Sequence, residues 1–370
     1  MKKLFLTFTA LASLSSTLTP AFGMDQIVRP YWSARSAGMG GVRITTGLYD
    51  ENFFGNPARV TQNPEWKVDI FDIFAESNSS TLSNVSNLLS GGDTLAKAAA
   101  TKGQNNHARV QTAMPSVYWP NMFGGKNSMA FALLTSSQFD LDLHRYYSIE
   151  PTTVIDIGPA VTYGRKFLED DSLSVGITGH ATYRLATRSG FGILDVVKGS
   201  SLSPLNSGGD GSHLEFDLGS SYLLPWHYQE MDFSTGLSIN NLLGGRYSNL
   251  GVRLLNTANR PPAQPRTLNF GASAKRATLW KFSDAVAALE FTDIGNNPDG
   301  SWFKTLHAGS EIRWGLLAFR LGLNQGYFAG GVGLDLIILE IDFATYGEEL
   351  TTNVGGYQDR RYTFRIAITI

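Results

Sequence analysis

The 370-residue chain contains no cysteine, so neither a disulfide framework nor thiol chemistry enters its description. It lacks an excess of charge of either sign. Its 30 Lys and Arg face 32 Asp and Glu, for a net charge of −2, which argues against a nucleic-acid partner that would want a basic face. No apolar run reaches the ~20 residues that a membrane-crossing helix needs, which excludes a helical membrane protein. Catalytic signatures are missing too. The histidines His107, His144, His180, His213, His227 and His307 never recur at i, i+2 or i, i+4, and no Gly-x-Ser-x-Gly elbow occurs. The reading is not an enzyme, with no cofactor and no metal implied.

What is present is alternation. Tyr362, Phe364, Ile366, Ile368 and Ile370 alternate with Arg361, Thr363, Arg365, Ala367 and Thr369. Leu173, Val175, Ile177, Ala181 and Tyr183 alternate with Ser174, Gly176, Thr178, His180 and Thr182, and Leu317, Phe319, Leu321 and Leu323 with Ala318, Arg320, Gly322 and Asn324. Period two means strands with one greasy face and one polar or small face. A soluble sandwich alternates as well. Two features favour a membrane. The strands are long, about ten residues or more, as a tilted bilayer-crossing strand must be. They also carry aromatics at their ends. Trp302 and Trp314 read as sharing the apolar face of one strand. At roughly 3.3 Å per residue and a tilt of about 40° they would stand about 30 Å apart, as an aromatic girdle at both interfaces.

The fold class is therefore all-β, a transmembrane antiparallel barrel. Strands are expected near 65–75, 108–118, 127–140, 152–167, 171–186, 212–224, 231–242, 266–277, 284–294, 302–314, 316–324, 327–335, 337–346 and 360–370, about fourteen in all, an even number as bacterial barrels prefer. Glu169-Asp170-Asp171 and Pro225-Trp226-His227-Tyr228 read as periplasmic turns, and 187–211, 243–265 and 347–359 as extracellular loops. Residues 82–101 read as a helical link broken at Gly91-Gly92, either lining the mouth or packed on the rim. Lys2, Lys3 and the apolar run Leu4 to Leu14, followed by Ala21 and Gly23, form an export signal cleaved after Gly23. The expected division is 1–23 signal peptide, 24–64 N-terminal hatch segment and 65–370 barrel. The expected location is the outer membrane, with its lipids and the barrel-assembly machinery as partners.

Ionisable groups within a barrel must face inward and find partners. By phase, the inward set holds Asp156, Lys166, Arg184, Glu215, Asp217, Glu290, Glu311, Arg313, Arg320, Glu340, Asp342 and Arg365, which read as ion-pair ladders that hold a plug and stiffen the wall. Gly38, Gly40 and Gly41 flank Met39 in a small-residue stretch suited to close packing in a lumen. A phosphate loop is excluded there, because no Lys-Ser/Thr follows.

The stretch Ala37-Gly38-Met39-Gly40-Gly41, then Tyr49-Asp50-Glu51, then Asn56-Pro57-Ala58 before the first strand, resembles the FadL-type outer-membrane transporters. It resembles still more their PorV-type relatives, which serve type IX secretion. The run Gly326 to Leu334 and then Ile341 to Tyr346 resembles the last hairpins of that second group. The resemblance implies a fourteen-stranded barrel with an N-terminal hatch that includes Asn56, Pro57 and Ala58, and an apolar pocket with a lateral opening. The function it implies is passive uptake of small hydrophobic, fatty-acid-like compounds through a hatch-gated lumen. The alternative is a non-transporting PorV-like barrel that hands secreted proteins on at the cell surface. Unlike most barrels, which end on Phe or Trp, the chain ends on Ile370.

Overall fold

A computed structural model describes residues 29–89, 105–143, 149–188, 208–248, 253–255, 259–296 and 300–370. The expected export signal, His144, Gly91-Gly92 and most of the expected 187–211 loop lie outside the described residues. The strands are β1 (Lys67–Asn78), β2 (Asn105–Met122), β3 (Asn127–Leu143), β4 (Ile149–Phe167), β5 (Leu173–Arg188), β6 (Gly209–Tyr228), β7 (Met231–Asn240), β8 (Thr267–Leu279), β9 (Phe282–Ile294), β10 (Leu306–Trp314), β11 (Leu317–Asn324), β12 (Tyr327–Leu336), β13 (Leu339–Glu349) and β14 (Gln358–Thr369). Each pairs antiparallel with its sequence neighbours, and β1 closes on β14, so the sheet is a closed fourteen-stranded barrel without a free edge. Helix α1 (Ala34–Gly38) precedes the barrel and α2 (Ser79–Leu89) follows β1. No helix among the described residues is long and apolar enough to cross a membrane.

Alternation decides which way each side chain points. Ile155, Ile157, Val175, Ile177, Leu218, Phe319, Leu321, Phe343 and Phe364 are exposed on the outside. Their neighbours Asp156, Ser174, Thr178, Asp217, Arg320, Asp342 and Arg365 are buried on the inside. This is inverted relative to a water-soluble protein, and it is the pattern of a wall facing lipid.

The two ends differ. β1 begins and β14 ends at one end, where short turns such as Gln229-Glu230 and Gly315-Leu316 join the strands. Gln229 and Glu230 both have positive φ, as a two-residue hairpin turn requires. The long links lie at the other end. The wall is also uneven in height. β4 and β6 have 19 and 20 residues, whereas β10 and β11 have 9 and 8.

Two expectations need correction. Pro225-Trp226-His227-Tyr228 is the end of β6, and the turn follows it, because the long-strand half of the wall extends past the bilayer-matched length. Trp302 is not on a strand with Trp314. It opens a single 3₁₀ turn, Trp302–Thr305, capped by the Ser301 hydroxyl, and β10 starts only at Leu306. The helical turn breaks the period of two, so the two indoles stand at opposite ends of β10, each 58% exposed.

Candidate functional site

Residues 29–63 sit inside the barrel, and the wall is shaped to admit them. At several places where the segment's backbone touches the wall, the inward position is glycine. A Cβ on Gly322 would lie 2.4 Å from the carbonyl carbon of Met39, and one on Gly176 would lie 2.4 Å from that of Pro57. Gly219 and Gly236 face Asn56 in the same way, and Gly331 faces Gly38. Gly40 and Gly41 themselves have φ of +70° and +92°, a conformation that favours glycine. The segment's apolar residues pack on small wall residues: Tyr31, Phe53 and Val60 against Ala113, Ala130, Ala132 and Ala160, and Met39 and Val42 against Ala288.

Asn56, Pro57 and Ala58 start a 3₁₀ turn, Pro57–Gln62, with the Asn56 side chain accepting from the Ala58 N–H. The Asn56 amide also donates to the carbonyls of Ile44 and Ser220, tying segment to wall. Glu290 on β9 does more. Its carboxylate accepts the backbone N–H groups of Arg43, Ile44 and Thr45 at 2.8, 3.0 and 2.9 Å, and the Thr45 hydroxyl as well. A buried charge that accepts several N–H donors is among the stronger polar contacts available to a chain.

A ladder of charges continues from the segment into the wall. Arg35 donates to Glu51 at 2.8 Å and with its Nε to Glu311 at 3.0 Å. Glu311 also accepts from Arg320 at 2.6 Å, and Arg320 reaches Asp342 at 2.5 Å. Arg365 lies between Asp342, Asp72 and Glu340, and Lys67 ends the chain against Glu340 and Asp69. Burial pushes the Glu51 carboxyl above its ordinary range, and Arg35 opposes that shift. Glu290, Glu311, Arg320, Glu340, Asp342 and Arg365 thus meet around one segment. Asp156 and Arg184 pair with each other elsewhere, with Arg184 Nε 2.6 Å from Asp156. Arg313 shares the inward phase but lies at the rim, where it meets exposed Asp335 at 3.4 Å and joins no luminal ladder.

Several functional contacts had no signal in the strand phase. Asp72 and Glu76 are buried because a bulge between Asp69 and Phe71 flips the phase of β1. Glu215 accepts the N–H groups of Leu243 and Gly245, and Glu349 those of Thr351, Gly355, Gly356 and Tyr357, so single carboxylates fold two of the long links.

With the segment in place little free bore remains. A cavity of about 10 Å³ is lined by Pro30, Phe54, Asp156, Ile157, Gly158, Pro159 and His180, among others. A second, of about 20 Å³, lies at the loop end around Trp32, Arg43, Arg109, His307 and Arg361. Each has room for about one water molecule. The first lies at a break in the β4–β5 pairing, where Gly158 and Pro159 still pair with β3. The β4–β5 ladder pairs Ile157 with Tyr183 and Ala160 with His180, with no pairing at Gly158 or Pro159 between them. Proline has no N–H to donate. Ile157 is exposed to the outside while Asp156 and His180 are buried inside, so residues of both faces line this cavity.

The fold has solved counterparts. A mutant of the monoaromatic hydrocarbon channel TodX aligns over 91% of this chain and 97% of its own, with a TM-score of 0.51 and 10% identity. The Pseudomonas putida toluene transporter TodX aligns over 95% and 99%, with a TM-score of 0.41 and 8% identity. A Pseudomonas aeruginosa FadL homologue aligns over 91% and 97%, with a TM-score of 0.39 and 9% identity. The first of these establishes likeness of fold. No family model matches the sequence, and no curated protein matches it.

Proposed function

We propose that this chain is an outer-membrane barrel through which small hydrophobic compounds pass without an energy source, with residues 29–63 acting as a hatch. The likeness of fold to a hydrocarbon channel supports the class of cargo. The observation that carries the route is the stretch Gly158-Pro159, paired to β3 but skipped by the β4–β5 ladder, where a cavity is lined by residues of both faces of the wall. An apolar solute displaced from the lumen there would enter lipid sideways and need not cross the polar ladder beyond. The bore as described is closed, so passage needs the hatch to shift, and the Arg35–Glu311 and Glu290 contacts are the latch that must give. Trp302 and Trp314 serve as girdle residues at the two interfaces.

A cysteine pair at Ile157 and Tyr183, which are register partners, tests the route. The oxidised pair is expected to stop uptake of a labelled long-chain fatty acid or toluene by cells that express the barrel, and reduction to restore it. Uptake that is indifferent to the crosslink overturns the lateral route.

A second reading has its own support. The filled bore and the exposed Leu243 and Leu254 on the long 241–266 link suit a barrel that holds a secreted protein at its loop end. Crosslinking in cells from Leu254 would trap a protein on this reading and nothing on the first.

A further inference from the structure

The loop-end cavity has a chemistry that hydrocarbon passage does not use. It lies between the segment and the ends of β2, β9, β10, β11, β13 and β14. Four arginines line it, Arg29, Arg43, Arg109 and Arg361, against the carboxylates of Asp293 and Glu348. Two of the arginines have carboxylate partners. Arg29 pairs with Asp293, and Arg361 meets Glu348 at 2.6 Å, Asp359 at 2.9 Å and Glu76 at 3.6 Å. Arg109 has Gln138 as its amide partner and Glu76 at 4.0 Å.

Arg43 differs. Among the described residues no carboxylate lies within ion-pair distance of its guanidinium, and what faces it is the Trp32 ring, 5.0 Å away. It is only 6% exposed. Burial, then the neighbouring Arg29 charge, lowers its guanidinium to about 10, against the opposing pull of Asp293, Glu290 and Glu51, each beyond ion-pair distance. Four buried donors around this cavity have no acceptor among the described residues: Nε1 of Trp32, Nε of Arg43, Nε of Arg109 and Nη2 of Arg361. A buried cation without an ion-pair partner is costly, and so is each buried donor without an acceptor. One small anion at this place relieves both.

We propose that the cavity between Trp32 and the arginines is an anion site that takes one compact monovalent anion of the halide or carboxylate class, with Arg43 as its main ligand. Its volume of about 20 Å³ matches one water-sized group, such as a halide or the head of a carboxylate. The anion bridges the N-terminal segment, through Arg29 and Arg43, to the wall, through Arg109 and Arg361. This inference stands apart from the transport reading, because a sealed barrel would hold the anion equally well.

The test is unfolding of the full-length protein in neutral detergent. It is titrated with sodium chloride, sodium formate or sodium octanoate at constant ionic strength, with gluconate as the balancing ion. Chloride and formate are expected to raise the midpoint saturably, and Arg43→Gln to weaken that response roughly tenfold, the loss of one charged hydrogen bond. If octanoate acts through Arg43 more strongly than formate, the anion is the head group of an amphiphile. If octanoate has no effect while formate and chloride act, it is a free ion. Either result supports the site. Wild-type crystals soaked in bromide give a check that needs no variant: an anomalous peak among Arg43, Arg109 and Arg361. Equal responses to chloride, formate and gluconate, or water alone in the bromide-soaked cavity, overturn it.

Discussion

Arg35 and Arg43 belong to the same luminal segment, and their surroundings are opposite. Arg35 touches two carboxylates, Glu51 and Glu311, and through Glu311 joins a ladder that runs across β10, β11, β13, β14 and β1. Arg43 is as deeply placed, yet among the described residues no carboxylate comes within ion-pair distance of its guanidinium, and Glu290 is held by its backbone N–H instead. The difference teaches that one segment carries two kinds of buried cation. One is spent on holding the segment to the wall, and the other is left with capacity toward a cavity. A paired buried charge gives geometry, and breaking it exposes the full desolvation cost of the partner left behind. An unpaired buried charge costs stability until something binds it.

Removing Glu311 breaks the first half of this comparison with the largest expected effect. Glu311→Gln leaves Arg35 with Glu51 alone and Arg320 with Asp342 alone, and chemical unfolding in detergent is expected to show a loss of about 3 kcal/mol. The same variant should make residues 29–63 sensitive to added protease. A segment still protected would mean that the ladder does not hold it. Glu290→Gln keeps the shape but replaces a charged acceptor of three N–H groups, and a smaller loss of about 1–3 kcal/mol is expected by the same measurement. Gly322→Ala places a methyl group against Met39 and Gly40 and should cost about 1–3 kcal/mol by overpacking, whereas alanine at Gly330, whose nearest neighbour would lie 3.7 Å away, should not overpack. The other half is sharpened by Arg43→Gln. In gluconate, with no small anion present, it should unfold no more easily than wild type, because no ion pair is lost. A loss as large as that of Glu311→Gln would show that Arg43 is a structural cation like Arg35. Smallest of all, Arg313→Ala at the exposed rim should change stability by less than about 1 kcal/mol.

Much of this was legible without coordinates. The inward set Glu290, Glu311, Arg320, Glu340, Asp342 and Arg365 follows from strand phase, because a period of two assigns every second side chain to one face. The small-residue stretches Gly38 to Gly41 and Asn56 to Ala58 stand out because a chain threaded through a lumen needs close backbone approach. What phase cannot deliver is pairing. Glu311 meets Arg35 across 276 positions of sequence, and no local pattern links them. Phase also fails where the strand is irregular. The bulge at Asp69 and Phe71 sends Asp72, Phe74 and Glu76 inward, and the 3₁₀ turn at Trp302 takes that residue off the strand.

By itself, then, the sequence determined an all-β chain with a lipid-facing and a luminal surface and about fourteen strands, because alternation and strand length are properties of neighbouring residues. The tertiary structure alone decided which luminal charges neutralise one another, that the segment leaves room for about one water in each of two cavities, and that among the described residues no carboxylate comes within ion-pair distance of the Arg43 guanidinium. Those outcomes depend on register around a closed barrel, where each strand's shift relative to the next adds to all the others before the ring can close.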